Sequence, residues 1–114
     1  MHELSVALSL IEGVEEQAAR LNGARIVAVH VRIGPLSGVV PDALRFAYDL
    51  GCEGTSLAGS RLAMEEAPVV IHCARCDRDT STASMQALWC PVCGSPPTRV
   101  ISGDELDLIA VEVE

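Results

Sequence analysis

Cys73-Ala74-Arg75-Cys76, thirteen residues, then Cys90-Pro91-Val92-Cys93-Gly94 is the stretch on which the reading of this chain turns. Each Cys-x-x-Cys is a tight turn that aims two sulfurs at one point. Two such turns brought together offer four thiolates in a tetrahedron, the arrangement Zn²⁺ prefers. Gly94 stands where the second turn calls for a left-handed residue. Between the pairs, Asp77, Arg78, Asp79, Thr80, Ser81 and Thr82 read as a polar hairpin tip with little core to offer. So short a segment buries too little apolar surface to fold alone, so the metal must supply the folding energy. Four sulfur ligands leave no open position for a substrate, which makes the zinc structural rather than catalytic. Two disulfides are the competing use of the cysteines. No basic region followed by an apolar run opens the chain, so a cytoplasmic location is expected and metal is preferred. An iron centre of the rubredoxin sort fits the same spacing.

The chain has 114 residues, enough for one domain plus a small metal knuckle. Hydrophobic residues make up 49% and aromatics only 3%, so the core must be aliphatic. No apolar run approaches the roughly 20 residues a bilayer requires, and no membrane role is expected. Eight arginines, no lysine and a net charge of −8 argue against a nucleic-acid partner, which wants a positive face.

Outward from the cysteines, the elements follow from spacing. Leu4, Ala7, Leu8, Ile11, Val14, Ala18 and Leu21 form one helical stripe, closed by Asn22-Gly23. Arg25 to Ile33 alternates as a strand, with Val27, Val29, Val31 and Ile33 on one face. Pro41 starts a second helix carrying Leu44, Phe46, Ala47, Tyr48 and Leu50, and Gly51 ends it. Thr55 to Ser60 reads as a small-residue loop. Arg61 to Ala67 is a second strand, and Glu105 to Val113 a last one that returns to the first sheet. The expected fold is α+β: a small mixed β-sheet packed with two helices, plus an inserted four-cysteine zinc-ribbon knuckle. Residues 1–68 and 103–114 form the first domain and 69–102 the zinc-binding one.

The opening residues carry a second kind of metal chemistry. The α-amine of Met1 and the peptide nitrogen of His2 close a five-membered chelate ring. The His2 imidazole closes a fused six-membered ring. Three nitrogens in one plane suit Ni(II) or Cu(II), and binding must release protons. Glu3 adds a carboxylate that supplies a ligand, holds the imidazole or offsets the helix N-terminus.

Taken together these features resemble the HypA/HybF family of nickel-insertion proteins of hydrogenase maturation. The matching residues are Met1-His2-Glu3-Leu4-Ser5, Ile33-Gly34 with Ser37 and Val39, and Leu44-Arg45-Phe46. They continue with Leu62 and Glu65 before Pro68, the two cysteine pairs, Gly103-Asp104-Glu105-Leu106 and Val111-Glu112-Val113. The resemblance covers essentially the whole chain. It implies a nickel metallochaperone, not an enzyme, with Ni(II) at His2, an adjacent role for Glu3, and structural Zn(II) on Cys73, Cys76, Cys90 and Cys93. It also implies two partners, an accessory GTPase and the large-subunit precursor of a [NiFe]-hydrogenase. The chain itself is expected as a monomer or weak homodimer.

The alternative is a zinc-ribbon module that binds protein or nucleic acid and has no nickel function. A nucleic-acid ribbon wants a basic surface, yet Arg75 and Arg78 are balanced by Asp77 and Asp79 between the cysteine pairs. Of the remaining candidates, Cys52 reads as an inert buried thiol and His30 as a packed or hydrogen-bonded histidine. His72 stands where it can tune the zinc site, and Trp89 is expected to pack over the knuckle.

Overall fold

In the computed structural model the described residues are 2–82, 89–96 and 99–114. Two helices and six strands follow in the order α1 (His2–Arg20), β1 (Ile26–Ile33), α2 (Pro41–Gly51), β2 (Arg61–Glu66), β3 (Val69–Cys73), β4 (Arg78–Thr82), β5 (Arg99–Ser102) and β6 (Leu106–Val113). A 3-10 turn, Pro35–Ser37, precedes α2. The strands form two three-stranded sheets, β2-β1-β6 and β4-β3-β5. The last strand thus returns beside the first. The chain divides into two compact units, Met1–Val31 with Val39–Glu65 and Asp107–Glu114, and Arg32–Gly38 with Glu66–Leu106.

In the first unit α1 and α2 pack on each other. The α1 stripe buries Ala7, Ile11, Val14 and Ala18, and α2 buries Leu44, Ala47 and Tyr48. Helix α2 starts as the sequence demands, with Pro41 in its first turn, where no backbone N–H is missed. Two of the apolar residues it carries point outward: Phe46 and Leu50 are exposed. Leu57, beyond the end of α2, is fully buried. The segment after α2 is therefore a folded series of turns rather than a loose loop. Thr55 Oγ1 donates to the Cys52 carbonyl at 2.7 Å, the Leu57 amide donates to Thr55 Oγ1 at 3.1 Å, and the Ser60 amide donates to the Leu57 carbonyl at 2.9 Å. Tyr48 and Ser60 share a hydroxyl–hydroxyl bond of 2.6 Å. Strand β1 departs from strict alternation: Ala28 and Val29 are both buried while Val27 is exposed.

The second unit holds more sheet than its composition suggested. The polar run expected as a hairpin tip is strand β4, antiparallel to β3 with Val69 opposite Thr82 and Cys73 opposite Arg78. The hairpin turns through the first cysteine pair, and Asp77 takes a left-handed φ of 51° that Asp tolerates better than most residues. Strand β5 covers the other edge of β3, with a shift of register between Val70 and Ile71. The Gly34 and Leu36 amides donate to the carbonyls of Glu105 and Gly103 at 2.9 and 2.6 Å. Gly34 cannot be replaced here, because a Cβ would run into the Gly103 carbonyl.

Candidate metal centre

The fold brings all four paired cysteines together. Their sulfurs lie within 4.8 Å of one another, with Cys73 to Cys93 at 3.5 Å and Cys76 to Cys90 at 3.9 Å. Zinc–sulfur bonds of about 2.3 Å in a tetrahedron put the sulfurs about 3.8 Å apart. The donor set is thus already at metal-binding separation, and no cysteine of the chain is in a disulfide. Cys73 sits at the end of β3 and Cys90 is equally buried, while Cys76 and Cys93 are partly open.

Local backbone geometry prepares the second pair for a metal. The Gly94 amide donates to the Cys90 carbonyl at 2.8 Å and the Cys90 amide to the Ser95 carbonyl at 2.9 Å. Gly94 has a φ of 73°, which closes this turn without strain. Hydrogen bonds from Ser95, side chain first and then backbone, lower the Cys93 thiol to about 6. Backbone N–H groups of Cys93 and Val92 lower Cys90. Cys76 goes the other way, to about 12, because the neighbouring Cys93 sulfur, burial, and the Cys90 and Cys73 sulfurs oppose its thiolate. A dication held by these four sulfurs would favour their thiolate forms and release protons on binding.

His72 lies next to Cys73 on β3. Its Nδ1–H donates to Asp79 Oδ1 at 2.8 Å, and His72 and Asp79 are directly opposed across β3 and β4. Asp79 was not singled out in the sequence. The signal was available, because a turn through Cys73–Cys76 opposes these two residues. Trp89 does not pack over the knuckle; it is 57% exposed. Cys52 is buried, as an inert thiol should be, and burial raises it above its ordinary value. His30 Nε2–H donates to Glu112 Oε1 at 2.9 Å.

At the other end of the chain, α1 begins at His2. The His2 side chain is 55% exposed, and its Nδ1 stands 3.6 Å from Glu3 Oε2. That same carboxylate oxygen accepts from the Val40 amide at 3.2 Å. Val40 is the residue from which α2 starts, and no side chain of its own caps that helix. Glu3 therefore ties the first turn of α1 to the start of α2. The Val40 bond, its own backbone amide and the neighbouring His2 hold the Glu3 carboxyl below its usual range. The Met1 amine lies outside the described residues. No helix among the described residues is long and apolar enough to cross a membrane.

Comparison with known proteins places this arrangement. A family model described as "Hydrogenase/urease nickel incorporation, metallochaperone, hypA" matches residues 1–113. The hydrogenase maturation factor HypA of Roseiflexus sp. is 46% identical over 114 residues, covering 100% of this chain and 93% of its own. That of Chloroflexus aurantiacus is 44% identical over 112 residues, covering 98% of each. The solution structure of the Ni metallochaperone HypA from Helicobacter pylori superposes with a TM-score of 0.65 at 26% identity, over 97% of this chain and 96% of that one. A second HypA solution structure gives 0.75 at 26% identity, over 100% and 97%. The match runs through both the Met-His-Glu start and the four-cysteine knuckle, and the chain belongs to the HypA family of nickel-incorporation metallochaperones.

Proposed function

We propose that this protein carries Ni(II) on its N-terminus and delivers it to the large-subunit precursor of a [NiFe]-hydrogenase, with an accessory GTPase as partner in the handover. It works in the cytoplasm, catalyses no reaction, and keeps a structural Zn(II) on Cys73, Cys76, Cys90 and Cys93. Residues 1–68 and 103–114 are the nickel-binding part and 69–102 the zinc-binding part. The observation that carries the reading is the sequence Met1-His2-Glu3, with His2 the first residue of α1, inside a family match over residues 1–113.

Helix geometry supports the nickel chelate. The first N–H groups of a helix have no acceptor within it. His2 is the first residue of α1, so giving its amide nitrogen to a metal costs the helix no hydrogen bond. A six-membered ring with that amide requires the Nδ1 nitrogen of His2. Nδ1 is the nitrogen beside the Glu3 carboxylate. Glu3 is thus the auxiliary group of the site: it places a negative charge beside the cation. That charge also offsets the positive end of α1, which otherwise opposes a bound cation.

Calorimetric titration with Ni(II) tests the reading. Untagged protein, protein extended by one residue before Met1, and the His2→Ala variant are compared, with zinc content measured in each. Nickel binding is expected in the first alone and zinc in all three. Equal nickel affinity in the extended and untagged forms removes the amine from the site.

A further inference from the structure

Each of the two sheets has two edge strands, and an edge strand carries a row of unpaired N–H and C=O groups. Three of the four edges are blunted by short length, charge or a covering side chain. Strand β5 is four residues long. Strand β4 is polar and carries Arg78 and Asp79. Strand β2 is six residues long, and its Leu62 carbonyl accepts from the Arg45 guanidinium at 2.8 Å. The fourth edge, β6, has none of these protections. It runs for eight residues, Leu106–Val113, without proline, lysine or arginine. All of them but Val111 are exposed, Ile109 to 46%. Strand β1 lies on one side of β6, and among the described residues no strand lies on the other.

The strand is fixed along β1. At one end the Gly34 amide donates to the Glu105 carbonyl, and at the other the Glu114 amide donates to the Arg25 carbonyl at 3.0 Å. Between them Glu112 accepts from His30 across the two strands. This pair stands in a cavity of about 360 Å³ that is lined also by Met64, Glu65 and Ile109. The rest of its lining is apolar. Beside the open edge there is thus a pocket with an apolar floor and two carboxylates.

We infer that β6 takes up, as a fourth strand, an extended segment of the large-subunit precursor in which apolar residues alternate with lysine or arginine. The class of occupant follows from the edge itself. A row of unpaired backbone groups is completed by another extended backbone, whose main-chain bonds supply affinity while pockets for alternate side chains supply specificity. A basic side chain entering the cavity lays its stem on Met64 and Ile109 and its charge beside Glu112. Asp107 and Glu112, with no basic residue in the strand to offset them, favour such side chains as cross-strand neighbours. A second copy of this chain is a poor occupant. Two β6 strands that overlap fully about a two-fold axis set Asp107 opposite Glu112 twice, and like charges directly opposite destabilise a pair. The precursor differs in still awaiting its metal. A metal site is rarely formed before the metal binds, so the chain around it is free to supply a strand. This inference rests on the proposed delivery to the precursor and adds where, and by what chemistry, the precursor is held.

The test is amide hydrogen exchange of the wild-type protein, alone and with the purified metal-free precursor, read by mass spectrometry. Exchange in residues 106–113 is expected to slow by about tenfold or more in the complex. A complex that forms without slowing exchange in this strand overturns the inference and leaves the delivery reading standing. Slowing that rises with this protein's own concentration, in the absence of precursor, makes a second copy the occupant and also overturns it. Two variants give an independent reading. The Glu114 amide faces β1, so the Val113 amide before it faces the open edge, and Val113→Pro deletes that donor. It is expected to weaken precursor binding roughly fivefold, the scale of one hydrogen bond. Asp107→Asn with Glu112→Gln, which keeps an acceptor for His30, is expected to lose most of the salt dependence of binding. Thermal midpoints and zinc content confirm that each variant is folded, and precursor binding unchanged in both counts against the edge. If Val113→Pro does not fold, exchange on wild type decides alone. Wild type that binds nickel but no precursor removes the delivery step and this inference together. Wild type that binds the precursor through β6 but takes no nickel supports the added strand and sinks the carrier reading.

Discussion

Leu57→Ala puts the least expected part of the core to the test. Leu57 is fully buried in the turns between α2 and β2. Those turns are held by the Thr55 hydroxyl and by backbone bonds at 3.0 and 3.1 Å from the Thr55 and Ala58 amides. A segment pinned in this way cannot collapse readily into the space the side chain leaves. The cost is then that of a rigid site, about 3 kcal/mol within the range of about 2–5 for such truncations. For a domain of this size, about 4–8 °C of midpoint accompanies each kcal/mol, so the midpoint should fall by roughly 12–24 °C. Leu57→Met conserves volume and should cost less than about 1.5 kcal/mol. Thermal unfolding followed by circular dichroism measures both, with nickel titration below the transition as a control. Nickel affinity and zinc content should be unchanged, because Leu57 belongs to neither set of ligands. A fall of less than about 3 °C in Leu57→Ala, well under that expected shift, would show that the segment is adaptable and that the reasoning about its rigidity is wrong.

Other outcomes follow from the two proposed metal sites. Replacing any of Cys73, Cys76, Cys90 or Cys93 by Ser should abolish zinc retention and the amide-exchange protection of β3, while α1 and α2 stay protected; intact β3 protection without metal would contradict the dependence of that sheet on zinc. Ser95→Ala removes the side-chain bond that most favours the Cys93 thiolate. Cys93 is lowered, so its contribution is present above the ordinary thiol range and lost as pH falls through about 6. Zinc release on acidification should therefore move to higher pH in Ser95→Ala, and coincident release curves would count against that bond. The Glu3 carboxyl is also lowered, so its tie to Val40 is constant above the usual carboxylate range and weakens only as pH falls below it. Nickel lost between pH 5 and 8 must then come from protonation of nitrogen donors, and Glu3→Gln, though it binds more weakly, should lose nickel with the same number of protons taken up; a smaller number would place Glu3 in that titration.

Both helices and the strands β1, β2 and β6 could be read from local signals: the 3.6-residue stripe of α1, Pro41 and Gly51 at the ends of α2, the run of Val and Ile in β1. The cysteine spacing likewise forecast which four sulfurs converge. What could not be read depends on contacts distant in the chain. Phe46 and Leu50 match a core pattern, but which α2 positions are buried is decided by Gly51 meeting α1 and by Arg45 and Tyr48 reaching Leu62 and Ser60. Strand β4 was hidden because its residues, Arg78-Asp79-Thr80-Ser81-Thr82, carry no apolar alternation; pairing with β3 defines it. Glu3 looked like a helix-start charge. Its acceptor role toward Val40, 37 residues away, is a tertiary fact.

That bond allows the role of Glu3 to be separated into charge and position. Val40 has φ −86° and ψ 117°, backbone angles close to those proline accepts. Its carbonyl receives the first α2 bond, from the Leu44 amide at 3.0 Å, and proline keeps that carbonyl. Val40→Pro therefore deletes the donor to Glu3 and leaves the helix start intact. If the carboxylate acts by charge alone, Val40→Pro should bind nickel as wild type does and Glu3→Gln more weakly. If it acts because it is held 3.6 Å from His2 Nδ1, both variants should weaken nickel binding. The double variant should then be no weaker than the worse single one, as coupled residues behave in a double-mutant cycle. The second outcome is expected, because a freed carboxylate on an exposed first turn spends most of its time in solvent. Calorimetry on the four proteins decides it. Tighter nickel binding in Val40→Pro than in wild type would mean that Val40 restrains a true ligand, and the positional role assigned to Glu3 would have to be given up.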